Sequence, residues 1–361
     1  MMGNECNLNC RYCLQHPLVH HPISHEINPE IYDFIEQVCK ENIEIPVDVR
    51  FWGGEPLVFY PIIKEVVKEL ESRDLPVKFS LMTNGKLLTE EIVDYVIDHD
   101  INISFSWDGP NVLDTRGYDV VKEKKDLLFK LPNLYISAVM SSKAYPKEIL
   151  DAFTELDNKY YSLKGHHIGI NIDDIFNTGD LPEDLLDIDY DRVSKEITEM
   201  AYHWLDIVSK DIPLDESDQY IKDIYINNLY NYARKFYSDK KGCHNGEWRD
   251  PWCCCGNGYT TLDMGIDGKL YPCHNTSHSI GDINTSYFDY LRKLILEDNF
   301  NQIRADCKDC EVLAYCHGGC KLVSKENRDK TYCNLKKAVF IPILNLLINL
   351  GETLNNLKYD N

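Results

Sequence analysis

Three cysteines near the start of the chain have a spacing that could do chemistry: Cys6-Asn-Leu-Asn-Cys10-Arg-Tyr-Cys13, a C-x3-C-x2-C triplet. With cysteine at about 4% of residues, that pattern arises by chance in roughly one chain in fifty of this length. Thiolates at this density are ligands for an iron–sulfur cluster or for zinc. A cubane [4Fe–4S] cluster held by three cysteines leaves one iron open to a substrate or cosubstrate, as open metal positions do elsewhere. The residues alone also permit a zinc half-site or buried free thiols. A second constellation lies far downstream. It reads Cys307-x2-Cys310-x5-Cys316-x3-Cys320, with Cys333 beyond and Cys255-x12-Gly268-x4-Cys273 before it. Four cysteines so fixed arise in roughly one chain in a thousand. A pair of zinc ribbons is the other chemistry this pattern allows.

The 14 cysteines among 361 residues divide the chain. Three fall between 6 and 13, Cys39 stands alone, ten lie between 243 and 333, and residues 40–242 contain none. The N-terminus lacks a basic segment followed by an apolar stretch, so no secretory signal is expected. The longest apolar run, 338–350, is interrupted by Pro342, Asn345 and Asn349 and is too short for a bilayer, which needs about 20 apolar residues. A cytoplasmic location is the expectation, and reduced thiols in that compartment favour metal ligands over disulfides. The formal charge of −21 argues against a nucleic-acid binder and against adhesion to an anionic membrane surface. Cys39, on an amphipathic pattern, is expected to be a buried apolar residue.

The elements that must position these residues are legible as alternating patterns. Helical spacing over 31–42, 62–72 and 89–99 alternates with strand-like runs at 47–52, 77–82, 101–107, 134–140 and 168–172. Such alternation implies parallel βαβ units, and at least five strands suggest a barrel or part-barrel with its site at the carboxyl ends of the strands. Residues 190–240 read as helical. A hairpin is expected where 259–264 turns at Ile266-Asp267-Gly268 into 269–271. A C-terminal amphipathic helix is expected over 336–357. The domain expectation is a partial barrel over 1–190, a helical connector over 191–240, a cysteine-rich domain over 241–335 and the terminal helix over 336–361.

Four segments at predicted strand ends carry a family resemblance. They are the triplet with Tyr12; Gly53-Gly54-Glu55-Pro56; Thr83-Asn84-Gly85; and Ser106-Trp107-Asp108-Gly109-Pro110. Together they resemble the radical S-adenosylmethionine (SAM) superfamily, which implies a partial (β/α)6 TIM-like barrel. The resemblance implies that Cys6, Cys10 and Cys13 hold a [4Fe–4S] cluster whose open iron chelates SAM, and that reductive cleavage yields a 5′-deoxyadenosyl radical. It places Tyr12, Gly53, Gly54, Glu55, Pro56, Asn84, Ser106 and Arg116 around SAM, with Glu55 near the amino group and Arg116 at a carboxylate. The downstream cysteines resemble the SPASM module, which carries two auxiliary [4Fe–4S] clusters, making three in all. By that resemblance one auxiliary cluster uses Cys307, Cys310, Cys316 and Cys333. The other uses Cys255, Cys273 and Cys320, with a fourth ligand chosen from Cys243, Cys253 and Cys254.

The resemblance implies an enzyme that modifies a peptide or protein, commonly a ribosomal precursor, forming a thioether or carbon–carbon crosslink. Anaerobic sulfatase maturases, which form formylglycine, are the alternative within the family; a non-catalytic zinc or iron–sulfur scaffold is the alternative outside it. Sulfatase maturases usually carry an Asp directly after the hairpin cysteine, where this chain has Cys273-His274-Asn275. His274 is therefore either a base near neutral pH or a surface residue beside a cluster. An external electron donor such as a flavodoxin or ferredoxin is implied as a partner. Only five residues precede Cys6, so the first strand of the barrel is expected to be missing or truncated. An N-terminal peptide-recognition domain is likewise expected to be absent, which assigns leader recognition to the barrel, the acidic surface or a separate protein.

Overall fold

In a computed structural model, residues 1–15, 26–41, 45–209, 261–296, 305–316 and 318–350 are described. Five strands form one sheet in the order β1-β2-β3-β4-β5: Val47–Phe51, Val77–Thr83, Ile101–Ser106, Tyr135–Met140 and Gly169–Asp174. β1 and β2 pair in parallel from Val47↔Val77 to Phe51↔Leu81, β2 and β3 from Phe79↔Ile101 to Thr83↔Phe105, and β3 and β4 from Ser104↔Tyr135 to Ser106↔Ser137. The sheet curls into a half-barrel, as the βαβ pattern implies; among the described residues it has five strands, not the six expected. Each of the five strands predicted for this sheet is present within two residues of its expected bounds.

Alternation along the strands sorts side chains by face. Phe79, Leu81, Ile101, Ile103, Phe105, Ile136 and Ala138 are buried. The positions between them, Ser80, Ser104, Ser106 and Ser137, are small, polar and half-buried. Helix α1 (Glu30–Glu41) buries Ile31, Ile35 and Cys39 at i, i+4 and i+8, so Cys39 is an apolar core residue as its spacing implies. Helix α2 (Tyr60–Ser72) buries Ile62, Ile63, Val66, Val67 and Leu70. Helix α3 (Glu90–Asp98) starts where Thr89 accepts the Ile92 N–H, with Glu90 and Glu91 in the first turn complementing the helix dipole. Helix α4 (Val120–Leu128) starts on Asp119, whose carboxylate accepts both the Lys122 N–H at 3.0 Å and the Trp107 indole N–H at 2.9 Å. One side chain thus caps the helix and fastens the end of β3.

The described residues fall into two compact units. One comprises Met1–Ala138, Tyr160–Ile170 and Cys255–Gln302; the other comprises Val139–Lys159, Asn171–Cys254 and Ile303–Asn361. The first holds β1–β3 and the expected hairpin. There β6 (Asp263–Met264) pairs antiparallel with β7 (Lys269–Tyr271), and β8 (Gly281–Asp282), which the sequence patterning did not signal, adds a third strand. The second holds most of helix α5 (Pro146–Lys164), the end of β5, α6 (Tyr190–Ser209) and α8 (Cys333–Leu350), the last two packed together. The helix between them in the chain, α7 (Tyr287–Leu296), belongs to the first unit. α8 begins three residues before its predicted start, which puts Cys333 in its first turn, and it carries Pro342 internally. Among the described residues no helix is long and apolar enough to cross a membrane.

Candidate functional site: a three-cysteine loop and a four-cysteine cavity

The segment before Cys6 lies against the end of β1. The Met2 N–H donates to the Trp52 carbonyl at 2.7 Å, the Gly54 N–H to the Gly3 carbonyl at 2.8 Å and the Glu55 N–H to the Glu5 carbonyl at 2.9 Å. Residues 2–5 therefore lie beside the end of β1 without forming a strand. The glycines are required by this contact. A Cβ on Gly53 would lie 2.5 Å from the Gly3 oxygen, and one on Gly54 would lie 2.5 Å from the Glu5 oxygen and 2.6 Å from that of Asn4. The backbone that approaches them closely is thus the chain's own entry to the cysteine loop.

Glu55 is 1% exposed and turned inward. Its Oε1 accepts the Thr83 hydroxyl at 2.6 Å and the Leu57 N–H at 3.0 Å, and its Oε2 accepts the Asn84 N–H at 2.8 Å. Burial pushes its pKa up, and these donors oppose the shift. The carboxylate staples the end of β1 to the end of β2, while Pro56 opens the helical turn Pro56–Phe59 that Glu55 caps. Asn84 extends the staple to the loop: its Nδ2 donates to Asn7 Oδ1 at 2.8 Å and lies 3.9 Å from Cys6 Sγ. Gly85 holds the turn, at φ +73°, where a Cβ would strike Val120.

The other side of the loop is held by β3. The Arg11 N–H donates to the Thr115 carbonyl at 2.9 Å. Tyr12 is buried, its hydroxyl donating to Asp108 Oδ2 at 2.5 Å, and Thr115 donates to the same oxygen at 2.6 Å. Arg116 Nε donates to Asp108 Oδ1 at 3.1 Å, and its guanidinium lies 5.2 Å from the Tyr12 ring centroid. Asp108, fully buried, thereby joins Tyr12, Thr115 and Arg116 into one network. Burial disfavours the Arg116 charge, but the Asp108 carboxylate, followed by Tyr12 and Cys10, outweighs it and raises the pKa. Burial likewise raises that of Tyr12, against the pull of Arg116. The guanidinium expected at a ligand carboxylate thus has a protein carboxylate as partner. Replacing Arg116 by Gln leaves Asp108 as an uncompensated buried charge, at a cost of about 3–5 kcal/mol. A drop of that size is expected in the chemical denaturation of cluster-free protein, where SAM binding plays no part.

The three thiols are close enough to influence one another. Burial pushes the Cys6 thiol up, offset in part by the Leu8 N–H, and pushes Cys10 up to about 12 against the opposing Arg116. Binding a metal there must displace those protons. Ser106 ends β3 at the same edge. At the end of β1, the Trp52 ring lies 4.6 Å from that of His274, whose Nδ1 is 3.5 Å from Asp263 Oδ1. His274 therefore sits next to the GGE segment.

In the second unit, Cys307, Cys310, Cys316 and Cys333 line one cavity together with Val312, Gly318, Arg328 and Lys336. Burial pushes the Cys316 thiol up to about 11; Lys336 pulls it down and the other three cysteines push it up. Cys320 is not among the lining residues. Cys273 is buried in the hairpin region, with the Asn275 N–H 3.4 Å from its sulfur. Cys243, Cys253, Cys254 and Cys255 lie outside the described residues. Among the described residues, no three His, Cys, Asp or Glu side chains stand at metal-coordinating spacing; the thiols are gathered without being closed to ligation distance. By donor chemistry both sets fit iron–sulfur clusters: three and four gathered thiols, with Arg116 beside the first set and Arg328 and Lys336 beside the second. Sequence reasoning missed Asn7, Thr115, Arg328 and Lys336, and it gave no role to Thr83 and Asp108 although both stand in segments it singled out.

Residues 1–119 match the model of the radical SAM superfamily. Over 375 residues the chain is 23% identical to the radical SAM cyclopropyl synthase TigE of Paramaledivibacter caminithermalis, covering 93% of this chain and 71% of that protein. It is 24% identical over 401 residues to the cysteine-type anaerobic sulfatase-maturating enzyme of Clostridium perfringens (strain 13 / Type A), covering 99% and 97%. Among solved structures it resembles anSMEcpe with bound AdoMet, with a TM-score of 0.65, 19% identity, and coverage of 98% of this chain and 97% of that one. The same protein with AdoMet and a Cp18Cys peptide gives a TM-score of 0.61 at 18% identity, covering 99% and 98%. The structural likenesses are likenesses of fold.

Proposed function

We propose that this chain, whose residues 1–119 match the radical SAM superfamily model, is a peptide-modifying maturase that crosslinks a ribosomally made peptide through a thioether or carbon–carbon bond. The observation that carries the reading is the loop of Cys6, Cys10 and Cys13, fastened on one side by Glu55 and Asn84 and on the other by Asp108. Three thiols held this way suit a cluster with one open position, and the surrounding strand ends leave small residues where a cosubstrate would lie. When bound there, a [4Fe–4S] cluster and SAM supply one-electron cleavage that generates a hydrogen-abstracting 5′-deoxyadenosyl radical. The chain's own residues do the positioning. Gly53 and Gly54 admit the loop, Asn84 orients its first half, and Tyr12 and Arg116 brace its second half through Asp108. His274, beside Trp52, is the proposed proton acceptor for the peptide. The cysteines at 307, 310, 316 and 333, together with Cys255, Cys273, Cys320 and one of Cys243, Cys253 or Cys254, are proposed to hold two auxiliary clusters.

Sulfatase maturation is the second reading, favoured by relatives of that name that cover nearly the whole chain. Mass spectrometry of candidate peptides after anaerobic incubation with reconstituted enzyme, SAM and reductant separates the two. A loss of two hydrogens from a precursor peptide is expected. Conversion of a sulfatase-peptide Cys or Ser to formylglycine would establish the alternative instead, and zinc without SAM turnover would defeat both.

A further inference from the structure

Arg328 lies on a single turn of π-helix, Arg328–Tyr332, immediately before α8. Such turns are rare and often mark functional positions. The side chain is 1% exposed and lines the cavity formed by Cys307, Cys310, Cys316 and Cys333. Its Nη2 makes a short bond to Asp306 Oδ2 and lies 3.5 Å from Asp329 Oδ1. Its Nε and Nη1 are buried and have no hydrogen-bond partner among the described residues. A guanidinium cannot shed its proton, so two unpaired N–H groups of a buried cation are costly unless an acceptor arrives in the cavity. A second cation fixed at the same cavity is Lys336, paired with Asp174 and 5.3 Å from the ring centroids of both Tyr332 and Phe340. Each cation is thus tied to a carboxylate and bound into the wall of a thiol-lined cavity.

We propose that Arg328 is a positioning residue whose two open N–H groups donate to the anionic sulfur of a cluster held by Cys307, Cys310, Cys316 and Cys333, raising its reduction potential. The proposal rests on the reading that these cysteines hold an iron–sulfur cluster. Reduction adds a negative charge, which a fixed neighbouring cation and hydrogen bonds to sulfur stabilise. Lys336 supplies a compact charge already paired with Asp174, whereas Arg328 supplies charge and a planar pair of donors.

The test uses the full chain, reconstituted anaerobically, with EPR-monitored redox titration of the signal that is lost in the Cys316→Ala variant. Arg328→Gln is expected to shift that midpoint potential to more negative values while the other signals stay in place. Arg328→Lys, which keeps the charge and loses the planar pair of donors, is expected to fall between the two. Iron present with an unchanged midpoint in Arg328→Gln overturns the role of Arg328. If Arg328→Gln does not retain iron, Arg328→Lys decides: a lowered midpoint supports the proposal and an unchanged one overturns it. If the parent chain loses no iron on Cys316→Ala, the cluster reading itself fails, and the proposal with it. None of these outcomes depends on peptide turnover, so they are distinguishable from failure of the maturase reading.

Discussion

Cys10→Ala is expected to reduce SAM-dependent release of 5′-deoxyadenosine to background, a fall of about 10³-fold or more, equivalent to ~4 kcal/mol. Iron content should fall by the share of one cluster while the remaining iron is retained. The size of the effect follows from the loop's construction. The Arg11 N–H is bonded to Thr115 and the Cys13 N–H to the Cys10 carbonyl at 3.1 Å, so the backbone holds the loop's shape and no neighbouring thiol can slide into the vacant place. The Cys39→Ala variant is the natural control. That thiol is buried on α1 among apolar side chains, so its loss should cost about 1 kcal/mol of stability and leave iron content and SAM cleavage intact. A comparable loss of SAM cleavage in both variants would remove the special standing of the triplet.

Gly54→Ala is expected to be nearly as damaging by a purely steric route. The added methyl would lie 2.5 Å from the Glu5 oxygen, 2.6 Å from the Asn4 oxygen and 2.7 Å from the Asn4 carbonyl carbon. All three are backbone atoms, so no flexible side chain can move aside. Either β1 or the cysteine loop must shift, and the Gly54 N–H bond to Gly3 at 2.8 Å is strained or lost with it. Overpacking of this kind costs about 1–3 kcal/mol, and a loop displaced by even a fraction of an ångström loses the geometry its ligands need. We expect slower cluster loading and a SAM cleavage rate reduced about 10²-fold in the folded fraction. Thermal unfolding of cluster-free protein measures the stability part separately. Wild-type stability in that assay, together with wild-type SAM cleavage, would mean that the close approach is unimportant.

Particular residues show how much was legible in advance. The strands were readable because each is a short alternating run whose buried face is visible in the residue types, as in Val-Lys-Phe-Ser-Leu-Met-Thr of β2. Thr89 announced α3 because capping is local. The cysteines were readable because ligand spacing within a loop is also local. Arg116 was harder. Its type suits a ligand carboxylate, and nothing in a linear reading reveals that Asp108, eight residues earlier, turns inward to meet it. Glu55 was legible as a residue at a strand end, but its surroundings were not: it is buried and shared among Thr83, Asn84 and Leu57. Arg328 gave no signal at all, because its significance comes from a cavity assembled by residues spread from 307 to 336.

What the sequence alone determined is therefore the donor chemistry and the alternating scaffold: which thiols exist, how they are spaced, and that parallel strands end near them. Those properties depend on residue type and on neighbours only a few positions away. Only the tertiary structure decided which polar groups are satisfied by the protein and which remain open. Hydrogen-bond partners such as Asp108 with Tyr12, or Glu55 with Asn84, are separated by 96 and 29 positions and meet only once the crossovers have closed. A buried donor must find an acceptor wherever the fold supplies one, and that requirement couples distant segments in ways that spacing cannot encode.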